Sequence, residues 1–445
     1  MYLPDSILTC IQMLEQAGFA AYVVGGCVRD ACLGRIPQDY DMCTSALPEQ
    51  TEEVFQDYRL VLAGKKHGTI GVVTEDGVVE ITTFRTEGEY RDNRHPDWVA
   101  FVPEVEQDLA RRDFTVNAMA WSPTRGYADP FGGREDLKWG ILRAVGDSEK
   151  RFREDSLRIL RGVRFAVRFG LTVDSETERA MYSQAYLMEN LARERVFDEL
   201  CKLIPGMQLE DLLRFAKILA AVIPELEPMI GFDQRSPHHA YDLYTHVAHV
   251  VSAVPKDLTI RWAALLHDIG KVPTFTQDET GRGHFYGHAP KGAQMAEEVL
   301  RRLKAPTALR QQVVLLIEKH MLRLTPDKKM LRRQIGRLGW NTVEQLLALQ
   351  KADMGRKGTG KPEEMEIFEQ IREILEEIRT EDSCLSLKDL AVKGNDLMAL
   401  GFAGKAIGQT LNALLEQVLD ETLPNEKQTL LAWAEREKEQ TYGRL

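Results

Sequence analysis

A change of hydrophobic period near residue 147 constrains the fold of this chain more than any other feature. Before it, strand-like runs at Ala20–Val24, Asp39–Thr44, Val72–Thr74 and Val78–Phe84 are separated by turn residues, and Asp76-Gly77 marks a hairpin between the last two. An amphipathic helix is predicted at about Pro4–Ala17, ahead of the first strand. After residue 147 the pattern is almost wholly helical. Ile367, Ile371, Ile374 and Ile378 recur at steps of four, three and four, which marks one helix face. A chain of 445 residues exceeds one ordinary core. The expectation is an α+β protein with a small mixed sheet over residues 1–145, followed by all-helical regions over 146–235, 236–355 and 356–445. The Gly-Lys cluster Gly355–Pro362 is the expected linker before the last region.

Composition excludes several classes. No apolar run approaches the ~20 residues that span a bilayer, so no membrane partner is expected. Met1-Tyr2-Leu3-Pro4-Asp5 lacks a basic segment followed by an apolar one, so no secretory signal is read there. The six cysteines (10, 27, 32, 43, 201 and 384) contain no C-x-x-C pair and read as free thiols of a reducing cytoplasm. The net charge of −11 argues against a nucleic-acid partner, but the average hides basic stretches. Residues 301–338 hold eleven Lys/Arg against Glu318 and Asp327, a net of 11 − 2 = +9. Residues 151–168 hold six Arg and two acids, a net of +4. Such stretches either neutralise nucleic-acid phosphates or form solvated helix faces.

Three groups of residues carry chemistry. Val24-Gly25-Gly26-Cys27-Val28-Arg29-Asp30 places a Gly-Gly turn between strand and helix, where backbone approaches a ligand closely and free N–H groups meet phosphate. Asp39-Tyr40-Asp41 follows. On a strand, residues two apart share a face, and two carboxylates there repel unless a cation lies between them. Hard oxygen ligands of that kind suit Mg²⁺, which also binds phosphate oxygens. A third carboxylate is expected on a neighbouring strand; Glu80 and Thr82 share the face opposite Val79 and Ile81, and Glu80 is the candidate.

In this order the motifs resemble the class II tRNA nucleotidyltransferases, the bacterial CCA-adding enzymes. Gly25 through Asp41 is similar to the family's first motif, and Phe84–Tyr90 with Arg94-His95-Pro96 to its flexible loop. Arg111-Arg112-Asp113-Phe114-Thr115-Val116-Asn117 resembles the second motif, Asp129-Pro130-Phe131-Gly132-Gly133 with Asp136 the third, Glu154-Asp155-Ser156-Leu157-Arg158 the fourth, and Glu194-Arg195-Val196 with Glu199-Leu200 the fifth. The resemblance implies a polymerase-beta-like nucleotidyltransferase head, then helical neck, body and tail. It implies tRNA, CTP and ATP as partners and Mg²⁺ at Asp39, Asp41 and Glu80. Gly25, Gly26, Arg29, Arg112, Asp113 and Asn117 would bind nucleotide. Asp155 and Arg158 would select the base: a carboxylate accepts from the exocyclic amine of cytosine or adenine, and a guanidinium donates to the acceptors beside it. Spacing of i and i+3 on a helix lets both reach one base. Arg161 and Arg164 continue the row; Arg164, rotated about half a turn away, contacts triphosphate from the flank or packs structurally. The bacterial poly(A) polymerases share the first motif, but His67-Gly68-Thr69 resembles the CCA-adding pattern. Addition of C, C and A is therefore expected, with CC-adding, A-adding or poly(A)-adding enzymes as alternatives.

Seven of the ten histidines lie within residues 238–288. His246, His267-Asp268, His288, His320 and Asp353, with the signature Leu266-His267-Asp268-Ile269-Gly270-Lys271, resemble the HD phosphohydrolase superfamily. The resemblance implies a divalent transition metal held by His246, His267, Asp268 and Asp353, with His288 and His320 serving a second metal or the substrate. It also raises a rival function, an HD phosphohydrolase with an RNA-binding head. His238, His239, His249 and His284 have no assigned role. Val392–Leu397 and Gly401–Gly408 resemble the family's tRNA-contacting tail, helix capping by glycine being the alternative. The residues leave oligomeric state open.

Overall fold

The computed structural model describes residues 1–88, 99–236, 240–355, 362–381 and 384–442. The second half of the expected flexible loop (Glu89, Tyr90, Arg94-His95-Pro96), His238, His239 and most of the expected linker lie outside the described residues. Two compact units emerge: Met1–Met207 with Arg214–Glu227, and Gln208–Leu213 with Pro228–Leu445. Among the described residues no helix is long and apolar enough to cross a membrane.

The first unit carries β1 (Ala21–Val24), β2 (Met42–Thr44), β3 (Leu60–Val61), β4 (Thr69–Thr74), β5 (Gly77–Thr83), β6 (Arg85–Glu87), β7 (Val99–Phe101), β8 (Ala120–Ser122) and β9 (Gly126–Ala128). Seven of these form one sheet in the order β3-β4-β5-β2-β1-β8-β9, while β6 and β7 pair with each other. The sheet is mixed, as expected: β2 runs parallel to β5 and the other neighbours are antiparallel. The hairpin β4–β5 turns at Glu75-Asp76, with Gly77 at φ 128 as the first residue of β5. That is one residue earlier than the turn chemistry suggested. The first helix spans Asp5–Gln16 and buries Ile7, Cys10, Ile11 and Leu14. One apolar cluster under the sheet joins Val24, Cys43, Phe84, Leu109, Ala118 and Ala120 from segments far apart in sequence. Its burial is the main force that holds these strands in register.

β2 begins at Met42, so Asp39 and Asp41 stand just ahead of the strand rather than on it. The ladder nevertheless reaches Asp41, whose carbonyl accepts from the Val24 N–H at 3.0 Å. Below the sheet the chain becomes helical. Leu157–Phe169 presents a strongly amphipathic face, ends at Gly170 in a left-handed cap, and packs on Arg193–Leu203.

The second unit is helical apart from the small ribbon Thr276–Gln277 with Gly283–His284. Asp242, Asp257 and Asp327 each cap a helix by accepting from backbone N–H groups two or three residues on. In helix Pro362–Thr380 the buried apolar residues are Phe368, Ile371, Leu375 and Ile378. The expected stripe was therefore slightly rotated; Ile367 is 38% exposed. The basic stretch 301–338 is largely neutralised from within. Arg332 pairs with Glu421, Arg333 with Glu416 and Asp420, Arg337 with Glu416, Lys328 with Glu377 and Glu381, and Arg310 with Glu297. In the tail, Lys393 donates to the Lys388 carbonyl, and Gly404, at φ 57, precedes helix Lys405–Leu419.

Candidate functional site

Asp39, Asp41 and Glu80 line one open cleft of about 880 Å³ in the first unit. Two local features bring them together. The parallel register Met42↔Ile81 puts Asp41 level with Glu80 when continued by one residue. The alternation along β5 then buries Val79 and Ile81 and exposes Glu80 on the opposite face. None of the three acids makes a hydrogen bond or salt bridge through its side chain to a described residue. Although Asp41 is exposed along the cleft, desolvation raises its carboxyl pKa. The Arg112 charge pulls it back and Asp39 adds to the rise. The three acids share the cleft, but their carboxylate oxygens do not all lie within 4.8 Å of one another, and Arg112 is the one cation that acts on Asp41.

Around this cleft the Gly25-Gly26 turn begins a short helix, Gly26–Cys32. Gly25 sits at φ 78, and a Cβ there would lie 2.9 Å from Arg112 Nη1. Glycine suits this position because of its positive φ, and it leaves room for the guanidinium that crosses it. Arg112 is steadied by Asp108 at 3.4 Å, and Asp108 also accepts from Arg111 at 2.9 Å. Arg29 is buried. It donates to Asn117 Oδ1 at 2.5 Å, pairs with Asp30 at 2.8 Å, and lies 4.3 Å from the Phe169 ring centre.

Asp113 differs from a ligand-facing residue. Its carboxylate accepts from the Phe114 N–H at 2.8 Å, from Asn117 Nδ2 at 3.0 Å and from Arg161 Nε at 2.8 Å. Burial alone would raise its pKa; the charges of Arg161 and Arg158 and the Asn117 hydrogen bond outweigh that and hold it at about 2. Asp113 thus orients Asn117 and Arg161. The third motif is likewise internal: Asp129 accepts from the N–H groups of Gly133 and Arg134, and Asp136 from Thr115 Oγ1 at 2.6 Å.

The spacing argument for Asp155 and Arg158 needs correction. Asp155 has extended backbone (φ −144, ψ 102) and the helix that follows begins only at Leu157, so the pair is not i, i+3 within one helix. The carboxylate of Asp155 accepts from the Leu157 N–H and pairs with Arg195 at 2.8 Å. Arg158 pairs with Glu154 at 2.8 Å and donates to the Arg111 carbonyl at 3.0 Å. Arg164 packs structurally: it forms a buried pair with Glu199 at 2.6 Å and lies 4.4 Å from the Phe165 ring centre. Removing one member of such a pair leaves a buried charge, at a cost of about 3–5 kcal/mol. Sequence reasoning missed Asp108, Glu154 and Glu199 as holders of arginines and Arg195 as the holder of Asp155. The signal was present for Glu154 in the fourth motif and for Arg195 and Glu199 in the fifth.

In the second unit five segments converge. His246 lies on helix Leu243–Ala253, His267 and Asp268 follow helix Leu258–Leu266, His288 opens helix His288–Arg302, His320 ends helix Thr307–Lys319, and Asp353 lies on helix Trp340–Gly355. A Cβ on Gly270 would fall 2.2 Å from the His288 carbonyl, so only glycine lets these two segments meet. His246 Nε2 is 3.0 Å from Asp353 and 3.6 Å from Asp268; His267 Nε2 is 3.2 Å from Asp268. His288 Nε2 is 3.7 Å from Asp268 and 3.3 Å from His320 Nε2. Donor atoms of His246, His267 and Asp268 lie within 4.8 Å of one another, as do those of Asp268, His288 and His320. Asp268 belongs to both groups.

Proton placement in this cluster follows from its backbone contacts. The Nδ1 atoms of His267, His288 and His320 lie 2.8, 2.8 and 2.6 Å from backbone carbonyls, which can only accept. Each Nδ1 therefore carries a proton, and each ring turns its Nε2 inward. Burial lowers the pKa of His288 and takes that of His320 down to about 4, which leaves both Nε2 atoms bare, whereas the Asp268 carboxylate outweighs burial at His267 and raises its pKa. Two bare nitrogens 3.3 Å apart repel unless a cation or proton lies between them. Lys271, which sequence reasoning did not assign, supplies one charge: its Nζ is 2.7 Å from Asp268 and donates to Gln234.

A family model described as the poly(A) polymerase head domain matches residues 21–143. A model of the RNA- and SrmB-binding site of polymerase A matches 170–230, and one of tRNA nucleotidyltransferase domain 2 matches 288–434. The CCA-adding enzyme of Bacillus velezensis is 32% identical over 434 residues, covering 96% of this chain and 96% of that protein. That of Streptococcus thermophilus is 31% identical over 450 residues, covering 98% and 99%. The crystal structure of the Bacillus stearothermophilus CCA-adding enzyme in complex with CTP aligns over 100% of both chains, with 29% identity and a TM-score of 0.71. With the carboxylate cleft, the arginine row and full-length similarity in agreement, this chain belongs to the CCA-adding enzymes.

Proposed function

We propose that this chain completes the 3′ end of tRNA in the cytoplasm, adding C, C and A from CTP and ATP with release of pyrophosphate, and that Asp39, Asp41 and Glu80 carry the chemistry. The observation behind the residue assignment is the one cleft that Asp39, Asp41 and Glu80 all line, none of them held by a side-chain hydrogen bond or salt bridge to a described residue. Asp39 and Asp41, with Glu80, would hold Mg²⁺, whose charge when bound makes the attacking hydroxyl more acidic and offsets charge on the triphosphate. Arg112 lies beside Gly25 at the rim, where a cation suits triphosphate oxygens. Arg29 and Asn117, oriented through Asp113 and Asp30, support the nucleotide from the other side of the turn.

Asp155 and Arg158 read the base. Arg195 holds Asp155 just ahead of the helix and Glu154 holds Arg158 in its first turn, so their acceptor and donor are set before the nucleotide arrives. Uracil and guanine would place an oxygen against the Asp155 carboxylate, acceptor against acceptor. The enzyme contributes mainly position and charge, as phosphoryl-group chemistry requires. The helical regions after residue 145, with the tail Val392–Gly408, contact the tRNA. The experiment is to incubate the chain with tRNA lacking its CCA end and each nucleotide separately, then size the product. CTP alone should add two residues, and CTP with ATP three. A long tail made from ATP alone would assign poly(A) synthesis instead. Asp155→Ala should lose discrimination of CTP against UTP by about a hundredfold.

A second reading is favoured by the histidine Nε2 atoms gathered around Asp268: the histidine cluster is a metal-dependent phosphohydrolase centre. There the oxygen of water bonds to phosphorus, the bond from phosphorus to the leaving oxygen breaks, and phosphate and an alcohol result. His246, His267, Asp268 and Asp353 would hold a divalent transition metal that lowers the pKa of that water, with His288 and His320 on the second side of Asp268. Bound metal and phosphate release from p-nitrophenyl phosphate should both vanish in His267→Ala with Asp268→Ala, while CTP incorporation persists.

A further inference from the structure

The cleft that Asp39, Asp41 and Glu80 line opens away from the residues assigned to the incoming nucleotide. None of Gly25, Arg29, Arg112, Asn117 or Asp155 lines it. The acids therefore stand between the turn that Arg112 crosses and an open space of about 880 Å³. In an in-line transfer the attacking hydroxyl and the leaving pyrophosphate lie on opposite sides of the phosphorus. A space across the acids from the triphosphate residues is where the acceptor end arrives.

Three large apolar side chains line that space although they are exposed: Tyr2 at 82%, Ile36 at 90% and Val78 at 55%. Each stands on anchored backbone. Leu3 beside Tyr2 is buried, and Pro4 leads into helix Asp5–Gln16. Arg35 beside Ile36 donates its N–H to the Asp30 carbonyl at 2.8 Å, and its guanidinium lies 5.1 Å from the Phe169 ring centre. Val78 shares a face of β5 with Glu80. The charged residues of the lining are all acids, Asp5 and Asp76 with the three already named; among the described residues no Lys or Arg lines it.

We propose that Tyr2, Ile36 and Val78 form an apolar platform for the last base of the acceptor RNA and so position its ribose 3′-hydroxyl at the acids. The inference rests on the assignment of Asp39, Asp41 and Glu80 above and adds the residues that place the acceptor. A wall of acids without cations repels phosphate, so the terminal nucleoside enters and the strand behind it stays outside. Exposed apolar side chains grip the face of a base rather than its edge, and every base has such a face. That tolerance fits a reaction whose acceptor end changes with each addition.

The test uses the full chain with Mg²⁺, CTP and tRNA lacking its CCA end, prepared with an intact last base or with an abasic last residue. In the wild type the abasic end should raise KM for tRNA about tenfold. Tyr2→Ala should raise KM for intact tRNA by about as much and Ile36→Ala severalfold, with KM for CTP unchanged. Tyr2→Phe should stay close to wild type. Both side chains are exposed, so these substitutions leave the core intact. Tyr2→Ala with Ile36→Ala should lose little more on the abasic end, because the contact is already gone. An abasic penalty as large in that double variant as in wild type overturns the proposal. A raised KM for CTP with an unchanged KM for tRNA puts the incoming nucleotide in this space and also overturns it. CTP incorporation at the wild-type rate in Asp39→Ala with Asp41→Ala is a separate failure, which removes the assignment of the acids itself.

Discussion

The two units hold their acids in opposite ways. In the first, Asp39, Asp41 and Glu80 line an open cleft with no side-chain hydrogen bond or salt bridge to a described residue, and Arg112 acts on Asp41 through its charge alone. In the second, Asp268 is 1% exposed and surrounded by His246, His267, Lys271 and His288. The first arrangement leaves its carboxylates open to whatever enters the cleft. The second has built most of its counter-charge into the fold, so it suits a small ion and a small substrate. Open acids cost the folded protein stability, whereas enclosed ones become part of what holds it together.

Removing the acids of each unit is the sharpest way to break that contrast. Asp39→Ala with Asp41→Ala should lower CTP incorporation by at least about a thousandfold. Thermal stability should hold steady or rise, because the pKa of Asp41 is raised in the folded state and its ionised form is disfavoured there. Residual incorporation near the wild-type rate would end the assignment. Asp268→Ala should instead cost about 3–5 kcal/mol in urea unfolding, since it leaves Lys271 and the histidines facing one another in a buried site. A variant as stable as wild type would show that the cluster is not self-supporting.

Within the first unit, Asp113 tests whether an enclosed acid there behaves like Asp268. Its folded pKa of about 2 lies below the usual ~3.9, so its contribution of about 2 kcal/mol is fully present above pH 5. That contribution is lost as pH falls towards 2. The stability gap between wild type and Asp113→Asn should therefore shrink over the same range. A constant gap would mean the carboxylate charge is not what the site uses. The smallest effect belongs to the tail. Arg333→Ala breaks partly exposed pairs with Glu416 and Asp420 and should cost under about 1 kcal/mol, less at high salt.

Much of the site was legible before any coordinates. The face of Glu80 followed from the two-residue period of β5, and Gly25, Arg29 and Asp41 followed from a turn flanked by strand patterns. Other readings failed for stated reasons. Asp155 and Arg158 are three apart, but spacing cannot say where a helix begins; extended backbone at Asp155 and a helix that begins only at Leu157 put that boundary between them. The isoleucine stripe of helix Pro362–Thr380 was misplaced because Phe368 and Leu375 complete the buried face that isoleucines alone only approximate. The stretch 301–338 looked free to bind phosphate because several of its partners, Glu416, Asp420 and Glu421, lie 79, 87 and 89 residues away.

What the sequence determined by itself is local: the order of the motifs, the strand and helix periods, and the residue types able to hold a metal or read a base. These depend on neighbours within a few positions, where backbone geometry sets which side chains share a face. Only the tertiary structure decided which charges remain available. Arg29 reaches Asn117, Arg161 reaches Asp113, and Arg195 reaches Asp155 across 88, 48 and 40 residues. Such pairings depend on how elements pack, and packing is driven by non-directional apolar burial that fixes no charged partner in advance.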